Sequence, residues 1–153
     1  MELRKGANII QFQNEVVINQ GRERVFAYIA NVQKATEWNY AVIRVEEIQR
    51  KKDIIGSEYV LVRMFANKEA RDHIVVTQHL PGQRFAVESI AGGPFPYGLE
   101  YNFADKDGAT VVTNKARFKP RGFKGMLASL AVPRIKKEVF HNLCIMKKIV
   151  ESG

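Results

Sequence analysis

After Tyr40 the chain carries six short apolar runs of alternating period, each closed by a turn signal, and beyond Pro120 one long stretch of helical period. That succession constrains the fold more than any other feature. Consecutive antiparallel strands joined by short turns form a meander, and a sheet with one apolar face needs another layer to cover it. The runs are Val42–Gln49, Tyr59–Phe65, Asp72–Gln78, Arg84–Ile90, Tyr97–Phe103 and Thr110–Phe118. Breaks fall at Gly56, Asn67-Lys68, Leu80-Pro81-Gly82, Gly92-Gly93-Pro94 and Asp105–Gly108. Ahead of them, Phe12–Asn19 reads as a first strand. Val25, Phe26, Ile29 and Val32 then follow at helical spacing, and Ala35–Trp38 forms a further helical turn.

At the other end Ile135, Val139, Leu143, Met146 and Val150 make one narrow stripe, widened by Phe140 and Ile149. Met126, Leu127 and Leu130 point to nearly the opposite side of a continuous helix. Pro133, between the two sets, predicts a break or kink, and a final helix from Pro133 to Glu151. The architecture implied is α+β: a curved antiparallel sheet of six or seven strands wrapped around a long C-terminal helix. Two short helices follow the first strand, and one domain covers residues 1–153. A helix facing a strongly bent sheet need not fill the space between them, and the gap becomes a cavity.

With the elements in this order the chain resembles a family. Ile18 through Val42, with Val25-Phe26, Ile29 and Trp38, is similar to the opening of the START-like helix-grip superfamily, in its polyketide cyclase/dehydrase-like branch. The likeness continues through Gly56-Ser57-Glu58-Tyr59, Leu80–Phe85, Gly92–Phe95, Leu99–Phe103 and Gly108–Phe118. It closes with Pro120-Arg121-Gly122 and the final amphipathic helix, so it covers nearly the whole chain. Asn31 stands where relatives often carry an acidic residue; either side chain can cap and turn a chain. The resemblance implies a pocket protein. It implies no particular reaction, because similar scaffolds serve carriers, receptors and cyclases.

Charge is distributed unevenly. Up to Asn114 there are 14 Lys/Arg and 14 Asp/Glu, whereas the last 39 residues hold 10 basic residues against Glu138 and Glu151, so the whole +8 resides there. An anionic partner, such as a membrane surface, or a solvated helix face would each account for it. Nucleic acid is disfavoured. In the run Lys115, Arg117, Lys119, Arg121 and Lys124, alternation turns Phe118 inward and the cations outward, separating base stackers from charges. The longest run free of charged side chains, Ser89–Leu99, is too short for a membrane span. The start leads into no apolar signal segment, and Cys144 has no second cysteine to pair with, so a reducing cytoplasm is expected.

Motifs for common catalytic, metal and nucleotide sites are missing: there is no HExxH, CxxC, GxSxG, P-loop or GxGxxG. His73 and His79 lie on one strand face about 20 Å apart if extended, which argues against a metal site with His141. Cys144, next to Leu143 in the apolar stripe, reads as a small buried hydrophobe. No cofactor and no catalytic residue are assigned.

Strand faces say more. A two-residue turn at Asn67-Lys68 pairs Arg63 with Asp72, Leu61 with Ile74 and Tyr59 with Val76. Closure at Asp105–Gly108 pairs Tyr101 with Val112 and Leu99 with Asn114. The concave face then carries Tyr59, Leu61, Arg63, Asp72, Phe85, Tyr101, Asn114 and Phe118, and the cavity is completed by Trp38, Leu130 and Val139. Mostly apolar walls with a few polar groups suit a small apolar ligand, with a carbonyl or carboxylate for Arg63 to hold. Arg63 and Asp72 also read as an ion pair near a hairpin tip. Val60, Val62 and Met64 on the opposite face suggest a homodimer contact, the alternative being a monomer. Three functions follow: binding of such a ligand; a cyclase or dehydratase in which Arg63 polarises a carbonyl and a tyrosine relays a proton; and a lipid carrier docking on anionic membranes.

Overall fold

Strand β1 (Ile10–Ile18) buries Phe12, Asn14, Val16 and Ile18 and exposes the residues between them, the period of a strand with one covered face. The computed structural model describes residues 9–65, 67–92, 96–119 and 122–153, with side chains in these ranges except at 65 and 122–131. Helix α1 (Arg22–Ala30), a 3-10 turn (Val32–Lys34) and the short α2 (Ala35–Trp38) follow. Asn31 fills the cap between them, its side chain accepting from the Gln33 amide. Then come β2 (Val42–Gln49), β3 (Glu58–Phe65), β4 (Lys68–Leu80), β5 (Arg84–Ala91), β6 (Tyr97–Lys106), β7 (Ala109–Phe118) and helix α3 (Gly122–Ser152).

The strands form one seven-stranded sheet in the order β1-β7-β6-β5-β4-β3-β2, with every pair antiparallel. β2 to β7 are the meander. β1 returns beside β7, so β1 and β2 are the two edges, joined by the α1–α2 segment. One core cluster holds Val25, Phe26 and Ile29 of α1, Trp38 of α2, the inward residues of the strands, and Leu143, Met146 and Val150 of α3. All three helices therefore cover the same face of the sheet.

Two hairpin registers differ from expectation, each by two residues. Phe65 pairs with Lys68, which sets Arg63 opposite Ala70 and Leu61 opposite Asp72. Asn67, at φ 63°, thus takes the last corner of the turn instead of the first, since asparagine tolerates the left-handed backbone needed there. Likewise Lys106 pairs with Ala109 around Asp107 (φ 48°) and Gly108 (φ 87°), placing Tyr101 opposite Asn114. A shift of two preserves the faces, because side chains alternate with period two. The inward set stands.

On the outer face Val60 and Val62 are buried, and only Met64 of the proposed dimer patch is exposed. The register explains it. Arg44 and Arg71 flank Val62 on the neighbouring strands and meet at Glu46 (3.1 and 2.5 Å), while His73 and Glu58 pair at 2.8 Å beside Val60. Long charged side chains cover apolar surface with their stems. Bidentate hydrogen bonding by Arg71 first, and then a bond from Arg44, lowers the Glu46 pKa to about 2.

The histidines are also rearranged. A bulge between Val76 and Gln78 inserts one residue, so His79 turns inward against Phe26 (5.2 Å between ring centres) and His73 stays outside. Helix α3 begins at Gly122 and runs through Pro133 without the predicted break; a long helix can absorb one missing hydrogen bond. The opposed phase of Met126, Leu127 and Leu130 lies outside the described side chains. Leu143 and Met146 are fully buried and Val150 nearly so, while Ile135 and Val139 are only half-buried. Cys144, expected to be buried, is half-buried at the edge of the stripe.

Candidate functional site

The covered face of the sheet is apolar apart from a small set of polar side chains, and their partners define the site. Asp72 on β4 is 0% exposed. Arg63, 34% exposed, meets its Oδ2 with Nε at 3.0 Å, and the Tyr97 hydroxyl donates to the same oxygen at 3.0 Å. This is not an exposed pair at a hairpin tip: the carboxylate end is sealed. Asp72 is seated by Gly92, whose backbone at φ 79° approaches the Arg71 carbonyl so closely that a Cβ would collide with it. Burial first, and the Asp72 carboxylate second, hold the Tyr97 phenol far above its usual pKa. Burial alone does the same for Tyr101.

The second polar group centres on β7. Asn114 is 0% exposed, faces Asn14 on one side and Tyr101 on the other, and has no hydrogen-bond partner for either its amide nitrogen or its oxygen. Asn14 is engaged, its amide donating to the Lys136 carbonyl of α3 at 3.1 Å. The Trp38 ring stands edge-on to Tyr101 at 6.4 Å, with its indole N–H unpartnered. On α3, Asn142 donates to Asn39 at 3.3 Å, leaving its own oxygen bare. Asp72 Oδ1 is bare as well. Buried polar atoms without partners are uncommon in folded proteins and call for an explanation at each site.

The predicted set is thus largely brought together. Trp38, Tyr59, Leu61, Asp72, Phe85, Tyr101 and Asn114 are buried on the covered face. Phe118 packs between Phe12 (5.8 Å) and Tyr97 (6.2 Å), and Val139 stands half-buried on α3. The Leu130 side chain lies outside the described residues. Sequence reasoning missed Tyr97, Asn14 and Asn142. Tyr97 shares the inward parity of Leu99 and Tyr101, a signal that was there to use.

A surface cleft of about 460 Å³ opens at the α1 end of the sheet, lined among others by Phe26, Ala30, Val32, Ile54 and His79. It meets the predicted set only at Tyr59. Among the described residues no group of three His, Cys, Asp or Glu could hold a metal, and no helix is long and apolar enough to cross a membrane.

An antiparallel sheet gripping a long C-terminal helix, with polar groups set into the apolar face between them, defines a helix-grip fold. The match is specific at the level of sequence: residues 10–150 fit the family described as polyketide cyclase / dehydrase and lipid transport, and the chain belongs to it. No curated protein matches. Among solved structures, TTHA0849 from Thermus thermophilus is similar at a TM-score of 0.79 and 18% identity, over 94% of this chain and 98% of that one. A START superfamily protein from Mycobacterium smegmatis (0.76, 12%, 93% and 97%) and the Zhui aromatase/cyclase from Streptomyces sp. R1128 (0.77, 12%, 94% and 94%) share the fold too.

Proposed function

We propose that this protein binds a small, largely apolar molecule between the sheet and α3. The observation that carries the reading is Asn114: a wholly buried amide with neither atom partnered, on an otherwise apolar face. Leaving such a group unsatisfied costs about 1–3 kcal/mol, a cost that a ligand's polar group would offset. The gradient along α3 supports it, since the helix seals the sheet at Leu143 and Met146 and less completely at Ile135 and Val139.

Arg63 is a poorer anchor than its position suggested. Its Nε donates to Asp72, so a carboxylate held by the remaining Nη donors would share the guanidinium with a buried countercharge. The cyclase or dehydratase reading suffers for the same reason, and phenols held protonated by burial are donors and not bases. Of the cations that a membrane-docking carrier would use, Lys147 is tied to the Val17 carbonyl and Glu151, and Arg134 to Glu138. Lys136, Lys137 and Lys148 are exposed. Native mass spectrometry of the purified protein, followed by solvent extraction, tests the reading: a stoichiometric apolar adduct is expected. Failure to take up any apolar probe refutes it. Salt-sensitive binding to anionic vesicles, with none to neutral ones, would favour the carrier instead.

A further inference from the structure

The geometry points to a neutral ligand. We infer that the band formed by Trp38, Asn114 and Asn142 selects an apolar molecule carrying a hydrogen-bond donor beside an acceptor, such as a primary carboxamide, and rejects the corresponding carboxylate. The inference rests on the binding role proposed above and adds to it the chemistry of the occupant.

The argument is a matching of atoms. Trp38 packs on Tyr101, Tyr101 faces Asn114 across the β6–β7 ladder, and Asn142 reaches Asn39, the residue next to Trp38. The unpartnered atoms of these three residues are two donor nitrogens, Trp38 Nε1 and Asn114 Nδ2, and two acceptors, Asn114 Oδ1 and Asn142 Oδ1. Turning the Asn114 amide over exchanges its atoms and leaves this complement unchanged. A group offering only an acceptor would satisfy the donors and strand both oxygens; one offering donor and acceptor satisfies both kinds. Among the described residues the band holds no charged side chain. Arg63 and Asp72, which reach Tyr101 by way of Tyr97, are paired with each other. A carboxylate entering the band would therefore be buried without a countercharge, and it would bring no donor for the two oxygens.

The test uses three probes on one ring system: 2-naphthamide, 2-acetonaphthone and 2-naphthoate, each displacing the neutral dye Nile red from the full-length protein. Naphthamide is expected to displace the dye at a concentration at least tenfold below the other two. Asn114→Leu should abolish that advantage, bringing the ratio of the naphthamide and acetonaphthone midpoints, each read at the variant's own dye affinity, to about one. Trp38→Phe, which keeps an aromatic body and removes the N–H, should weaken both carbonyl probes and serves if the first variant folds poorly. Equal displacement by all three probes would overturn the neutral donor-acceptor assignment and leave the binding role intact. The same holds if naphthoate is the best ligand and loses its advantage in Arg63→Met. Absence of Nile red uptake by the wild-type protein would overturn both.

Discussion

Replacing Arg63 by methionine isolates the electrostatics of the site. The substitution keeps an unbranched apolar stem and removes the guanidinium, leaving the fully buried Asp72 with the Tyr97 hydroxyl as its one polar contact among those described. Breaking a buried ion pair from one side costs about 3–5 kcal/mol, because the remaining charge loses its partner and stays desolvated. Arg63 is a third exposed, so solvent screens part of the attraction, and a loss of roughly 2–3 kcal/mol is expected. For a chain of this size that lowers Tm by roughly 5–10 °C, at about 2–4 °C per kcal/mol. Urea unfolding should show the midpoint falling with the slope unchanged. The double variant Arg63→Met, Asp72→Asn removes the stranded charge and should recover most of the loss. Additive single effects, or an Arg63→Met protein within about 0.5 kcal/mol of wild type, would refute the buried-pair account.

Other consequences follow from the same contacts. Asn114→Leu should stabilise the ligand-free protein by about 1–2 kcal/mol in urea unfolding, because it replaces two unsatisfied buried atoms by apolar surface; destabilisation would mean that the amide is satisfied in solution. Leu143→Ala should cost about 3 kcal/mol, and Val139→Ala clearly less, since only the former empties a fully buried site. Glu46 has a folded pKa of about 2 against 4.5 for the free group, so its bonds to Arg71 and Arg44 stabilise the fold above pH 4.5. That contribution is lost as the pH falls toward 2. The urea midpoint of Glu46→Gln should therefore decline less over that interval than that of wild type.

What the sequence made legible was periodicity, and periodicity reports faces. The inward set on β3, β4, β6 and β7 could be read because alternation survives a two-residue shift of register. The register itself depends on which corner of a turn Asn67 or Asp107 occupies, a choice settled by backbone strain and not by hydrophobicity. The bulge before Gln78, which sends His79 inward, leaves no mark in composition. Burial of Val60 and Val62 depends on ion pairs between three strands, beyond any single run of residues. The engaged Arg63 and the unpartnered Asn114 are likewise facts about third neighbours: alternation assigned both to the covered face and could not say which one had a partner.

The chain path from β1 to β2 has a mechanical side. These strands are neighbours in sequence and the two opposite rims of the sheet, so residues 19–41 act as a string across a bow, with α1 bearing on β5, β6 and β7 and α2 on α3. Extra residues inserted between α1 and β2 should let the rims spread and the grip on α3 widen, although this segment makes no strand of the sheet.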